Sequence, residues 1–152
     1  MIHPRLPIAV LSLSAATLVG IAAHEGYREE TYTPIKGDVH TIGFGTTQGV
    51  KPGDRTDPVR ALIRLQQDAD QYARAVKRCA PVPMHQHEFD AFVSLAYNIG
   101  PTAFCKSTVA RRLVLLDYKG ACEAILMWTK FKGKSIRGLV KRRQAEYRLC
   151  LG

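Results

Sequence analysis

Three side chains near the start of the chain have the types needed for acid–base chemistry: Glu25 in "HEGYREETY", Asp38 in "KGD" and Thr41 in "HTIGFGTT". Two carboxyl groups flanking a cleft are the minimum for cleaving a glycosidic bond. One, protonated, donates to the leaving oxygen; the other, ionised, activates water or stabilises developing positive charge. A threonine hydroxyl beside them can orient that water. Asp38 also has a plainer reading, as a turn residue that caps its own backbone after Gly37.

The elements that must hold these groups are readable in outline. "HEGYREETY" continues a helical pattern that Gly26 loosens, and "TPIKGD" breaks it, because Pro34 disfavours helix at Thr33 and Lys36-Gly37-Asp38 reads as a turn. "VHTIGFGTT" is β-branched, aromatic and glycine-punctuated, which predicts a small hairpin. A long helix follows from Thr56 to Cys79: Asp57 can cap it, Pro58 suits its first turn, and Val59, Leu62, Leu65, Ala69, Tyr72 and Val76 recur at helical spacing. Pro81 and Pro83 stop it. "QHEFDAFVSLAYNIG" predicts a second amphipathic helix with Phe89, Phe92, Val93, Ala96 and Tyr97 on one side and Gly100-Pro101 at its end. Shorter helical patterns run over 106–116, 119–128 and 138–149. An early hairpin followed only by helices makes an α+β fold that is mostly helical.

At 152 residues, with 46% hydrophobic and 23% charged residues, the chain is one globular unit with a real core. Its net charge of +9 is concentrated: residues 101–152 hold twelve Lys/Arg and three Asp/Glu. Such a basic region favours an anionic partner, whether nucleic acid, membrane surface or acidic polymer, unless it is simply a set of solvated helix faces. "KGKSIRGLVKRR" is interrupted by Ile136 and Leu139 and preceded by Trp128 and Phe131, which suits a packed helix pair better than a phosphate-binding strip. No nucleic-acid partner is expected.

Cys79, Cys105, Cys122 and Cys150 form no CxxC pair, which disfavours structural zinc and a thioredoxin-like motif. In an exported chain an even count predicts two disulfides, with three pairings open; the alternative is four separate buried thiols. His85 and His87 lack a partner at metal-ligand spacing and there is no HExxH, so no metal is expected.

The N-terminus has the layout of an export signal: Arg5 precedes an uncharged run, residues 6–23, that ends at "GIAA". Nine of these eighteen residues are Ala, Gly, Ser or Thr, so the run is apolar enough to insert in a bilayer but weakly held there. The alternative is an ordinary signal peptide removed near Ala23.

"HEGYREETY" and "HTIGFGTT", followed by "FDAFVSLAYNIG", "AFCKST", "ILMW" and "RGLVKRRQAE", resemble the phage lysozyme (endolysin) family, glycoside hydrolase family 24, from about His24 to Leu149. The weakly apolar N-terminus is similar to that of its signal-anchor-release subgroup. The resemblance implies a lysozyme-like fold with a small N-terminal β-hairpin and a helical C-terminal lobe, no cofactor, and a monomer acting on bacterial peptidoglycan. It implies hydrolysis, with inversion, of the β-1,4 bond between N-acetylmuramic acid and N-acetylglucosamine.

The family's set is a Glu, an Asp or Cys nine residues later, and a Thr six beyond that. Glu25 matches the first and Thr41 the third. Pro34 stands at the second place and the Glu-to-Thr interval is longer by one, so Asp38, the sole Asp between them, is the candidate second carboxylate. Arg28, Tyr32 and Phe44 become candidate cleft residues, with core packing as the plainer reading for the aromatics, while Asn98, Gly100 and Phe104 become architecture behind the sugar site. The missing Asp keeps open a lytic transglycosylase that attacks the same bond with Glu25 as sole acid/base.

The subgroup resemblance divides the chain into a signal-anchor-release segment, 1–23, and a catalytic domain, 24–152. The enzyme would first be tethered, inactive, to the periplasmic face of the host inner membrane through residues 6–23, and then act in the periplasm. No cysteine lies in residues 1–23, so refolding of the segment, rather than a disulfide switch involving it, would be the control.

Overall fold

A computed structural model describes residues 3–152, so the first two residues of the expected 1–23 segment lie outside the described residues. Contacts group the chain into two units: Leu18–Asp70, and the residues up to Thr17 with Gln71–Gly152. Helices α1 (Ala15–Glu25) and α2 (Pro58–Cys79) each contribute to both.

In the Leu18–Asp70 unit, α1 stops where Gly26 takes a left-handed φ of 73° and its N–H bonds the Ala22 carbonyl at 3.0 Å, the usual glycine termination of a helix. The helical reading of "HEGYREETY" therefore ends at Glu25, and Arg28–Tyr32 is strand β1. The helix-favouring Glu29 and Glu30 are overruled because this backbone finds partners on both sides. β2 (Thr41–Gly43) runs antiparallel to it, with Arg28 opposite Gly43, Tyr32 opposite Thr41, and a bulge between these pairs. On the other side Thr31 N–H donates to the Asp54 carbonyl at 3.2 Å and Thr56 N–H to that of Glu29 at 2.9 Å. Past β2 the chain turns back on itself, Ile42 and Thr46 exchanging two backbone hydrogen bonds of 3.0 Å.

Asp57 caps α2 as expected, its Oδ1 accepting from Arg60 N–H at 2.9 Å. The buried stripe is narrower than the pattern predicts. Leu65 and Ala69 are buried, but Val59 is 68% exposed, and Ala61 takes the inward place. The reason is close approach: a Cβ on Gly43 would lie 2.9 Å from the Ala61 Cβ, so β2 meets α2 through two of the smallest residues.

The larger unit is built on α3 (Gln86–Ile99), buried from Glu88 to Ala96 and packed against α7 (Arg137–Leu151). Its core joins Phe89, Phe92 and Leu95 of α3 to Phe104, Leu113 and Ile125. Of the 106–116 pattern, 108–114 is helix α5 (Thr108–Val114), while Lys106 ends a separate short helix, α4 (Pro101–Lys106), that the sequence did not show; Ser107 divides the two and caps α5 by accepting from Ala110 N–H at 3.1 Å. Then come α6 (Tyr118–Ile125) and a second hairpin not foreseen in the sequence, β3 (Lys130–Phe131) with β4 (Lys134–Ser135). Lys132 and Gly133 both have positive φ, 49° and 77°, as a two-residue I′ turn requires.

The cysteines pair as Cys79–Cys105 and Cys122–Cys150, with Cα separations of 5.3 and 5.7 Å, which decides among the three pairings and removes the separate-thiol alternative. Between α3 and α7 lies a charged cluster the sequence hid: Glu146 Oε1 accepts from Ser94 Oγ at 2.7 Å and from Arg143 Nη2 at 2.9 Å, and all three residues are buried.

Residues 3–14 belong to this same unit and are held by it. Leu6 and Met84 exchange two backbone hydrogen bonds of 2.9 Å, Gln86 donates to the Ser12 carbonyl at 2.7 Å, and Leu11 sits in the core at 3% exposure. Ser14 N–H donates to Asp90 Oδ1 at 3.0 Å, while its hydroxyl caps α1 by accepting from Thr17 N–H. The apolar run 6–23 is thus a bridge, a 3₁₀ turn at Ile8–Val10 and most of α1. No helix among the described residues is long and apolar enough to cross a membrane.

Candidate active site

Glu25 is the last residue of α1, half-buried, and Thr41 opens β2. Both belong to the Leu18–Asp70 unit, and β1 runs between them in the chain. Thr41 is 5% exposed; its hydroxyl donates to the Val39 carbonyl at 3.3 Å, and its place opposite Tyr32 is set by the strand register.

Residues 33–40, Pro34 among them, connect the two strands. Asp38 is exposed within this loop. Its N–H donates to the Ile35 carbonyl at 2.9 Å and its Oδ1 accepts from Val39 N–H at 2.8 Å. The carboxylate is engaged in its own turn, the plainer of the two roles open to it from sequence.

Of the candidate sugar-contacting residues, Arg28 lies over the Tyr32 ring at 5.4 Å, a cation–π contact along one strand. Phe44 packs against Tyr27 with ring centroids 5.4 Å apart, and the Tyr27 hydroxyl reaches the Thr56 carbonyl at 3.2 Å. Partial desolvation, then the Glu29 and Asp57 carboxylates, raise the Tyr27 pKa above the ordinary tyrosine value. The aromatics here pack on one another while remaining at the surface.

Two features of this unit escaped sequence reasoning. Thr46, 2% exposed, donates from Oγ1 to Asp68 Oδ2 at 2.7 Å, tying the glycine turn to α2. Arg55 bridges Glu29 and Glu30 at 2.7 and 3.0 Å, an exposed cluster along β1. The Thr46–Asp68 pair spans 22 residues with no spacing signal, and Asp68 reads in sequence as part of a solvated helix face. A cavity of about 390 Å³ lies on this side, lined among others by Ile42, Gly43, Thr46, Arg60 and Arg64; none of Glu25, Asp38 and Thr41 lines it.

The larger unit, considered by itself, holds Asn98, Gly100 and Phe104. Gly100, φ 92°, closes α3 with its N–H on the Ala96 carbonyl at 2.9 Å, and Phe104 is fully buried, whereas Asn98 is exposed. His85 caps α3 in a reciprocal box with Glu88, and His87 Nδ1 lies 3.0 Å from the Cys150 carbonyl oxygen. Among the described residues no three His, Cys, Asp or Glu side chains converge on a metal position.

A mostly helical protein with a small hairpin, in which a helix ends on a glutamate and the returning strand opens on a threonine, has the fold and the residue order of a lysozyme-like glycoside hydrolase. A family model described as Phage lysozyme matches residues 22–146, so the chain belongs to the phage lysozyme family. Among relatives, an endolysin of Acyrthosiphon pisum secondary endosymbiont phage 1 is 36% identical over 90% of this chain and 95% of its own length. A SAR-endolysin of Pseudomonas phage phiKMV is 36% identical over 90% of this chain and 87% of its own. Among solved structures, the muramidase domain of SpmX from Asticaccaulis excentricus superposes with a TM-score of 0.87 at 31% identity, over 93% of this chain and 99% of that one.

Proposed function

We propose that the protein is an endolysin that cleaves the β-1,4 bond between N-acetylmuramic acid and N-acetylglucosamine in peptidoglycan, with Glu25 as the general acid. The observation that carries this reading is the placement of Glu25 at the end of α1 and Thr41 at the head of β2, in a chain of the phage lysozyme family. Glu25 would protonate the leaving glycosidic oxygen. The Thr41 hydroxyl, its own proton given to the Val39 carbonyl, keeps lone pairs that can accept from an attacking water and fix its approach. Arg28, Tyr32 and Phe44 would border the sugar. Glu25→Gln should abolish turnover on purified cell walls while leaving the melting curve in place; full activity in that variant would overturn the assignment.

One observation favours a second reading. The Asp38 carboxylate accepts from Val39 N–H in its own turn, and Pro34 stands at the place where the family's second group is expected. A lytic transglycosylase needs only one acid/base group and expels an anhydro sugar instead of adding water. Mass analysis of the digest separates the two: reducing muramic acid ends mark hydrolysis, and their absence marks the transglycosylase. If Asp38 does serve hydrolysis with inversion, Asp38→Asn should cost activity and its carboxyl should stand about 6.5–9.5 Å from that of Glu25.

Residues 1–23 are proposed to serve as a signal-anchor-release segment and residues 24–152 as the catalytic domain, acting in the periplasm after release. The docked state of residues 3–14 supports this, since these residues have folded partners in Met84, Gln86 and Asp90 to exchange for lipid. Intact mass of the periplasmic protein tests it: cleavage near Ala23 would sink the idea.

A further inference from the structure

The last residue of α5 and the turn that leads to α6 present three consecutive apolar side chains to solvent: Val114 at 55%, Leu115 at 76% and Leu116 at 59% exposure. Folded proteins seldom leave such a run uncovered unless it meets a partner. Leu116 also has φ 60°, a left-handed conformation suited to glycine or asparagine, and is held there by its N–H on the Leu113 carbonyl at 2.8 Å and by Asp117 N–H on that of Arg112 at 2.9 Å. The backbone thus accepts strain while a large apolar side chain stays in water.

The surroundings say what could cover it. Lys106, Arg111, Arg112 and Lys119 are exposed near the tip in sequence. Arg112 is paired with Asp117 at 2.7 Å, but Arg111 donates to neutral acceptors, the Lys106 carbonyl at 3.0 Å and Thr108 Oγ1 at 2.9 Å, and meets no carboxylate among the described residues. A cavity of about 340 Å³ adjoins the turn, lined by Ala110, Arg111, Val114, Leu115 and the Cys79–Cys105 disulfide. A glycan strand offers hydroxyls and buries little aliphatic surface, and a second copy of the same basic face would be repelled. An anionic bilayer satisfies both parts: headgroups take the cations and the acyl boundary takes the aliphatic side chains.

We propose that the Val114–Leu116 turn is a peripheral membrane-contact site for anionic phospholipid, separate from the N-terminal segment. It would keep the folded enzyme at the bilayer surface whatever state that segment is in.

The test uses the full-length, disulfide-bonded protein and sucrose-loaded vesicles, either phosphatidylglycerol with phosphatidylethanolamine or phosphatidylcholine alone. Wild type is compared with Leu115→Ser/Leu116→Gly; the glycine relieves the left-handed strain, and a melting curve checks that the variant folds. Any insertion by the N-terminal segment is common to both proteins, so their ratio reports the turn. The double variant should partition into phosphatidylglycerol vesicles about tenfold more weakly, wild-type binding should fall with added salt, and turnover of soluble wall fragments should be unchanged. Equal partitioning of the two proteins, or equal wild-type binding to both lipid mixtures, overturns the proposal. So does wild-type self-association in sedimentation velocity that the double variant abolishes, which would make the turn an interface between copies. Loss of turnover on soluble fragments would place the turn in catalysis and overturn it as well.

Discussion

Arg5 grips Glu88 with two nitrogens of one guanidinium, Nε donating to Oε2 at 3.0 Å and Nη2 to Oε1 at 2.7 Å, and the same group lies 3.6 Å from the centre of the Tyr118 ring. Glu88 is 4% exposed, and it also accepts from the His85 N–H in capping α3. A residue near the N-terminus therefore completes the charge balance of a carboxylate inside the helical unit.

Arg5→Ala should destabilise the folded protein by about 1–3 kcal/mol, the cost of removing a charge-assisted partner from a buried acid. Urea unfolding measures it, and a double-mutant cycle with Glu88→Gln isolates the pair. A midpoint equal to wild type for both single variants would show that the contact does no stabilising.

The Arg143–Glu146 pair should be more costly to break. Burial pushes the Arg143 pKa below the ordinary arginine value, and the Glu146 charge opposes that shift. Glu146→Gln leaves the fully buried guanidinium without its counter-charge, and the expected loss is about 3–5 kcal/mol. In a domain of this size that is a fall in melting temperature of roughly 6–20 °C.

Gly43→Ala tests the approach of β2 to α2. The new Cβ would meet that of Ala61 at 2.9 Å, at a residue whose φ is 63°. The expected loss is about 1–3 kcal/mol from strain, with more from displacement of Ala61. Because Gly43 lies two residues from Thr41, wall-degrading activity should fall with it. Hydrogen exchange at Ile42 and Thr46 would locate the damage.

Asp117 supplies a pH dependence. Its carboxylate accepts from Gly120 N–H and from Arg112, which hold its pKa below the ordinary aspartate value of about 3.9, the Gly120 bond first and Arg112 next. A depressed folded-state pKa gives stability that is present above the unfolded value and lost as pH falls through the folded one. Asp117→Asn should therefore lower the melting temperature at pH 7 and make little difference near pH 2. A gap that stays constant with pH would show that the charge contributes nothing.

What was legible in the chain was whatever neighbouring residues decide among themselves. Asp57-Pro58 starts α2, Gly100 closes α3, and the apolar faces of both helices are recurrences within a few residues that need no distant partner to be seen. The glycine-punctuated "HTIGFGTT" announced a turn for the same reason. The order of Glu25 and Thr41 along the chain carried the family, and through it the chemistry.

β1 could not be read this way, since Arg28–Tyr32 has the composition of an exposed helix end and becomes a strand only because Thr41–Gly43 and Asp54–Thr56 arrive on either side. The two disulfides and the burial of Arg143 and Glu146 between α3 and α7 are likewise outcomes of where distant segments come to rest. The N-terminal run shows the division most clearly. Its composition made it weakly apolar, fit for a bilayer without being bound to one. Only the tertiary structure supplied Met84, Gln86 and Asp90 as its partners, because hydrogen bonds between residues more than seventy positions apart leave no periodic trace in either stretch.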